Sequence, residues 1–412
     1  MREPCHRNPM QKTVLVISTL DTKGLETEYL VVKLKELGLN TLLMDISMRG
    51  DAPSSADISP ERVAAAGGSS FEEIRNSRNR SQITNITMAG ASNLAAGLLS
   101  DNKLEGVIAI GGSTGTLMAT EVMRSLPFGI PKVMISSTAA FPGLATRYIG
   151  TGDIALFHSV IEISGASNLL KNVMDRAAQA LAGMVLGKIT SAKTGEGKAI
   201  ALTMLGPCEK CASAVRAGLE NKGFQVIGFS AAGIGDRAME DMIANGFFQG
   251  VVDLAPGGVG EHLYGFMRDA GPHRLETAGR AGLPQIISTC SVNHMTPAKS
   301  KYKPEYHERR KYDLDKFRTW IRLSSAELKE VAGAFAGKLN QATGPVCVII
   351  PQNGWSSVDS PENPTYDPQE DRVFVETLRQ QLKPDIRIVE IPANMEDEAF
   401  AQAIITAALE IF

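Results

Sequence analysis

A chain of 412 residues is longer than one hydrophobic core usually supports, so two domains are expected. A hydrophobic share of 43% beside 21% charged residues is that of an ordinary globular protein, and a formal net charge of −3 excludes a dedicated nucleic-acid binder, because it supplies no sequence-independent attraction to phosphate. Five cysteines without a regular framework fit a reducing compartment, no apolar run reaches bilayer length, and the basic start of the chain is not followed by a signal-type apolar core. A cytoplasmic protein without a membrane partner is the expectation.

Residues 14–17 form a β-branched run that reads as a strand, and 25–37 follow with helical apolar spacing before Gly38, a helix stop. Residues 39–46 read as a second strand, 83–99 as a helix with small residues on a periodic face, and 107–110 and 133–136 as further buried strands. An alanine-rich helix over 168–186 leads into the polar, glycine-bearing stretch 187–198, where the domain boundary is placed. The alternation then restarts. Strands are expected over 199–205, 225–229, 251–254, 285–288, 346–350 and 386–391, with helices over 209–221, 237–244, 326–339, 370–382 and 396–409. This pattern predicts an α/β fold of two Rossmann-like domains, 1–190 and 198–412, each a mainly parallel sheet flanked by helices.

The strand at 107–110 empties into Gly111, Gly112, Ser113, Thr114, Gly115 and Thr116, which then open a helical pattern. Three glycines let a ligand approach the backbone, and the hydroxyls stand beside the unpaired N–H groups of a helix start. The loop is neither a Walker A sequence nor the three-glycine dinucleotide fingerprint. From the residues alone, an anion cradle and a plain strand-to-helix turn both remain open.

In the second half Cys208 and Cys211 have the spacing of a redox pair without its usual context, and Cys290 and Cys347 are isolated in or near strands, so no metal set is expected. Cys208 at a helix start is a candidate nucleophile or anion contact, with a structural cysteine as the alternative. His262, His294 and His307 fall at loops or loop edges; His294, just after a strand end, is the candidate acid–base residue. Residues 296–322 read as an inserted arm, in which lysines and arginines interleave with Tyr302, Tyr306, Tyr312 and Phe317, suited to a lid or a subunit contact. Arg322 at its end is placed to face a carboxylate.

Several segments together resemble the Tm-1-like ATP-binding family, also called UPF0261. They are 18–26, which includes Thr19, Asp21, Lys23 and Glu26; the Gly111 to Thr116 loop; 127–132; Pro207 with Cys208; 232–240; 270–276; and Gly354, Trp355 and Ser356 with Asp359 and 366–368. The resemblance implies two Rossmann-like domains with ATP bound in the first and a homodimer or higher homo-oligomer; the extra TIM-barrel-like domain of the plant antiviral member is not expected here. It makes Thr19, Asp21, Lys23, Glu26, Gly111, Gly112, Ser113, Thr114, Gly115 and Thr116 nucleotide-site candidates, Lys23 for phosphate and Asp21 or Glu26 for ribose or a phosphate-bound Mg²⁺. The chain departs from the family pattern at 205–206, at Ser230 and at 255–260, which suggests a glycine-lined pocket in the second domain. The resulting expectation is an ATP-binding protein that holds a small anionic ligand near the interdomain cleft, its reaction unnamed; the alternative is a non-catalytic, nucleotide-gated module that binds a protein partner.

Overall fold

The first part of the chain runs β1 (Thr13–Ser18), α1 (Leu20–Glu36), β2 (Asn40–Asp45), α2 (Pro60–Ala66), α3 (Phe71–Asn76), α4 (Arg80–Ser100), β3 (Gly106–Gly111), α5 (Ser113–Ser125), β4 (Lys132–Ser136), α6 (Leu144–Ile149), β5 (Ala155–His158) and α7 (Asn168–Leu186). In β1 the side chains of Val14 and Val16 pack on one face and those of Leu15 and Ile17 on the other, all fully buried. β3 repeats this, with Ile108 and Ile110 on the first face and Val107 and Ala109 on the second. Strands apolar on both sides need helices on both sides, and α1 and α7 cover one face while α4 and α5 cover the other. The computed structural model describes residues 11–50, 55–188, 190 and 198–412.

All five strands pair in parallel in the order β2-β1-β3-β4-β5. The chain therefore leaves β1 toward one edge and later builds from β3 toward the other. Loops leaving the carboxyl ends of β1 and β3 diverge, and a crevice opens between them, the position at which doubly wound sheets bind ligands.

The second part runs β6 (Ala199–Met204), α8 (Glu209–Glu220), β7 (Gln225–Ser230), α9 (Ile234–Ala244), β8 (Gly250–Asp253), α10 (Gly258–Tyr264), α11 (Thr277–Arg280), β9 (Gln285–Ile287), β10 (His294–Met295), β11 (Lys311–Asp313), β12 (Thr319–Arg322), α12 (Ser325–Leu339), β13 (Val346–Pro351), α13 (Pro368–Gln381), β14 (Arg387–Ile391) and α14 (Glu398–Ile411). Six of these strands form a parallel sheet in the order β14-β13-β9-β8-β6-β7. The chain separates into two compact units, 1–192 and 193–412, each with its own parallel sheet. The α/β class with two mainly parallel sheets flanked by helices, read from the sequence, is the fold observed. The stretch 187–198, where the boundary was expected, lies largely outside the described residues.

Helix starts follow local chemistry. Ser324 and Glu327 form a reciprocal capping box on α12, and the Asp367 carboxylate accepts the Glu370 N–H at 2.9 Å ahead of Pro368 at the first turn of α13. Elements of one or two turns, α2, α3 and α6, and the short strand β5 escape a periodicity reading, which needs a longer window. The stretch 296–322 is not a loose excursion: β11 and β12 join β10 in a three-stranded antiparallel sheet, and Tyr306, Trp320 and Ile321 are buried in it. Among the described residues no helix is long and apolar enough to cross a membrane.

Candidate functional site

In the first unit the carboxyl ends of β1 and β3 border a pocket of about 340 Å³, lined by Thr19, Asp21, Thr22 and Lys23 from the first loop, Met48 and Arg49 beyond β2, Arg80 and Ile83 on α4, and Gly112, Ser113, Thr114 and Gly115 after β3. The two helix starts facing it differ. At α1 the amides are already used: Leu20 N–H donates to Asp45 Oδ1 at 3.1 Å, Asp21 N–H to Ser47 Oγ at 3.1 Å, and Lys23 N–H to the Thr19 carbonyl at 2.9 Å. Asp45, buried beneath, is pushed above the usual carboxylate range by desolvation, although its donors pull it down. At α5 the N-cap is Gly112, which has no side chain to fold back on the helix. The first intrahelical bond there is Thr116 N–H to the Gly112 carbonyl at 2.8 Å. The amides of Ser113, Thr114 and Gly115 precede that bond and border the pocket, so the positive end of the helix dipole points into it.

Three cationic side chains against one carboxylate line this pocket. Arg80 Nη2 donates to Thr114 Oγ1 at 3.0 Å, Lys23 Nζ to the Ile163 carbonyl at 2.5 Å, and Asp21 Oδ2 accepts the Gly50 N–H at 3.1 Å. Of the residues singled out in the sequence, Thr19, Asp21, Lys23, Gly112, Ser113, Thr114 and Gly115 meet here. Three do not. Glu26 is buried on α1 and does not line the pocket; Thr116 is buried with Oγ1 donating to Ser136 Oγ at 2.8 Å; and a Cβ on Gly111 would lie 3.1 Å from the backbone of Gly115. Gly111 and Thr116 thus seat α5 on β3 rather than face a ligand. The sequence reading missed Thr22, Met48, Arg49, Arg80 and Ile83; for Arg49 the available signal was its place just past the end of β2.

In the second unit Cys208 is fully buried in the turn before α8, and its Sγ donates to the Leu205 carbonyl at 3.3 Å. Cys211 is raised well above a normal thiol by burial, and Cys290 by its hydrogen bond with Cys208 and by burial. Residues 255–260 are buried as well, and a Cβ on Gly257 would lie 2.2 Å from the Ser291 carbonyl oxygen, so this glycine permits close backbone packing. His294 opens β10 at 2% exposure, its ring 5.7 Å from that of Trp320. Burial, then the charges of Arg322 and Arg268, hold it well below the ordinary histidine range, which makes it a neutral imidazole.

Buried charges in this unit are paired, those of Arg274 and Arg322 over long sequence distances. Arg274 donates to Asp236 and Asp253, each at 2.8 Å, and Glu240 lies 3.4 Å away. Arg268 pairs with Glu261 at 2.8 Å and also donates to Thr296 Oγ1 and Ser291 Oγ. Arg322, expected to face a carboxylate, meets three within the protein: Nε donates to Glu370 at 2.9 Å and Nη2 to Asp371 at 2.5 Å, with Asp359 3.7 Å from Nη1. Among the described residues no group of His, Cys, Asp and Glu is arranged to hold a metal ion.

These observations define a doubly wound α/β protein with a cationic crevice at the switch point of its first sheet. The chain belongs to the UPF0261 family. A family model described as the uncharacterised protein family (UPF0261) N-terminal domain matches residues 12–190, and the corresponding C-terminal domain matches 197–412. A UPF0261 protein of Clostridium tetani is 34% identical over 396 residues, 96% of this chain and 97% of that protein. One from Mesorhizobium japonicum is 30% identical, with 95% and 98% covered. The ToMV resistance protein Tm-1(GCR237) of Solanum lycopersicum is 34% identical over 318 residues, which are 76% of this chain and 42% of the tomato protein. Among solved structures, a UDP-N-acetylglucosamine 2-epimerase aligns over 91% of this chain and 92% of its own at 14% identity, with a TM-score of 0.22.

Proposed function

We propose that the crevice between β1 and β3 binds ATP, with or without Mg²⁺, through its phosphates. The observation that carries this reading is the convergence, on one pocket, of the side-chain-free start of α5 with Lys23, Arg49 and Arg80. Oriented amides and guanidinium groups are what a polyphosphate requires, and a volume of about 340 Å³ falls within the usual range of ligand pockets. Asp21 is the one carboxylate on the wall, and one of its oxygens is taken by Gly50. A magnesium ion here would rest mainly on the phosphates and water, as is common for that ion. The reading belongs to a cytoplasmic protein, where ATP is available and thiols such as Cys208, Cys211, Cys290 and Cys347 stay reduced.

Gly112 gives a clean test. Its φ of −78° suits any residue, and a Cβ built there meets nothing closer than Ser137 Oγ at 3.9 Å, so Gly112→Val keeps the fold while covering the amides of α5. Calorimetry with Mg·ATP should show binding below about 1 mM in the parent and a loss of about tenfold or more in Gly112→Val at an unchanged melting temperature. Absence of heat in the parent, or equal binding by the variant, would sink the assignment. Release of ADP or AMP in the same samples separates an ATP-using enzyme from a nucleotide-gated module.

A further inference from the structure

The three cations on the wall of the first unit's crevice differ from the buried guanidinium groups of the second unit in what holds them. Arg268, Arg274 and Arg322 are each matched by buried carboxylates. Lys23 instead donates to the Ile163 carbonyl at 2.5 Å, Arg49 to the Ser77 carbonyl at 3.4 Å and Arg80 to the Thr114 hydroxyl at 3.0 Å, all of them neutral oxygens. Arg49 and Arg80 are exposed and Lys23 is half-buried, so a ligand in the crevice reaches their positive charge without any opening of the core. Asp21, the carboxylate on the same wall, accepts the Gly50 N–H through Oδ2.

Three cations resting on neutral oxygens, beside the first amides of α5, match an anion that carries several charges along a chain, as a triphosphate does. The rest of the wall is chemically indifferent. Met48 and Ile83 are apolar, and Thr19, Thr22, Ser113 and Thr114 bring hydroxyls. A hydroxyl turns to donate or accept as its neighbour requires, so neither it nor an apolar surface tells adenine from guanine. Strong discrimination between similar ligands needs fixed polar groups that the wrong ligand leaves unpaired. Among the described residues lining the crevice there is no Asn, Gln, His or aromatic side chain to supply them. Its volume of about 340 Å³ also lies at the lower end of the usual range for ligand pockets, which leaves little room for a separate base-reading subsite.

We infer that the crevice reads the polyphosphate chain and not the base, so that nucleoside triphosphates of any base and inorganic triphosphate bind it alike. This deepens the ATP reading and rests on it. Arg80 is the side chain best placed to show the difference. It opens α4, and its Nη2 stands at Thr114, whose amide is one of those at the start of α5, so its charge falls on the phosphates seated there, which all these ligands share.

The test is calorimetry of the full chain with ATP, GTP, UTP, inorganic triphosphate, AMP and adenosine at one Mg²⁺ concentration and one ionic strength. The four triphosphates should bind within about fivefold of one another, AMP about tenfold or more weaker than ATP, and adenosine should give no heat. Arg80→Gln should weaken ATP and inorganic triphosphate by a common factor of about tenfold, at an unchanged melting temperature because the side chain it replaces is exposed. Should that variant fail to fold, Arg49→Gln carries the same comparison. Absence of heat with ATP removes the ATP reading itself, and this inference with it. With ATP bound, the inference alone is overturned if any other triphosphate is more than about fivefold weaker, if AMP comes within about tenfold of ATP, if adenosine binds, or if the folded variant does not weaken ATP and inorganic triphosphate together.

Discussion

Asp371→Asn probes how the second unit tolerates two buried carboxylates. Asn293 Nδ2 donates to both, to Asp359 Oδ2 at 2.9 Å and to Asp371 Oδ1 at 3.0 Å, while Arg322 supplies the neighbouring positive charge. Two ionised carboxylates would be costly without water around them, so burial and the charge of Asp359 push Asp371 up to about 8, and burial raises Asp359 too. At neutral pH the folded protein therefore keeps a proton on this pair that an unfolded chain, with an aspartate pKa of about 3.9, has released. Because the folded value is raised, this stabilisation is complete below about pH 4 and is lost as pH climbs through 8, with a slope of at most about 1.4 kcal/mol per pH unit and a ceiling on the order of 5 kcal/mol.

His294 acts with the opposite sign. Its folded value is depressed, so its contribution is present above about pH 6.5 and is lost as pH falls and the unfolded chain takes up the proton. The two slopes oppose each other below about pH 6.5, and of these two only the Asp371 slope remains from there to about pH 8. Asparagine at 371 can donate to Asp359 without binding a proton. In urea titrations followed by tryptophan emission, which reports the second unit because Trp320 and Trp355 are the only tryptophans, the parent should weaken between about pH 6.5 and 8 and stay nearly level below. Asp371→Asn should be level above about pH 6.5 and gain stability with pH below it. Equal slopes in the two proteins over the upper window would refute the shared proton.

Arg274→Met removes the cation that Asp236, Glu240 and Asp253 surround, and should cost about 3–5 kcal/mol, read from the urea midpoint; a loss below about 1 kcal/mol would show that those carboxylates do not depend on it. Cys208, Cys211, Cys290 and Cys347 are all buried, so in a Cys5→Ser background a thiol reagent should modify none of them in the native protein and all four in denaturant. Prompt native labelling of Cys208 would instead return it to candidacy as a nucleophile.

Much of the fold was legible because buried parallel strands are continuous β-branched runs and helices carry a 3.6-residue apolar period, both local signals. The helix expected over 168–186 is α7 residue for residue, and most other long elements start or stop within a few positions of expectation. α1 was read five residues late because its first turn carries the pocket residues Asp21, Thr22 and Lys23, and Lys23 itself departs from helical geometry at φ −129°. Contiguous parts of the candidate site, Thr19 to Lys23 and Gly112 to Gly115, could likewise be read as strings. Glu26, Gly111 and Thr116 share those strings but turn to the interior, which spacing alone does not reveal.

The sequence by itself determined two alternating α/β stretches and a glycine- and hydroxyl-rich turn opening a helix, because backbone periodicity and turn chemistry act between near neighbours. Tertiary structure alone decided the order β2-β1-β3-β4-β5, which sets the crevice between the first and third strands and carries Arg49 and Arg80 to its wall. It also decided which buried charges neutralise one another. Arg322 finds Asp359, Glu370 and Asp371 across 37 to 49 positions of sequence, and only the folded core, where charges left without water must be matched, makes such distant partners meet.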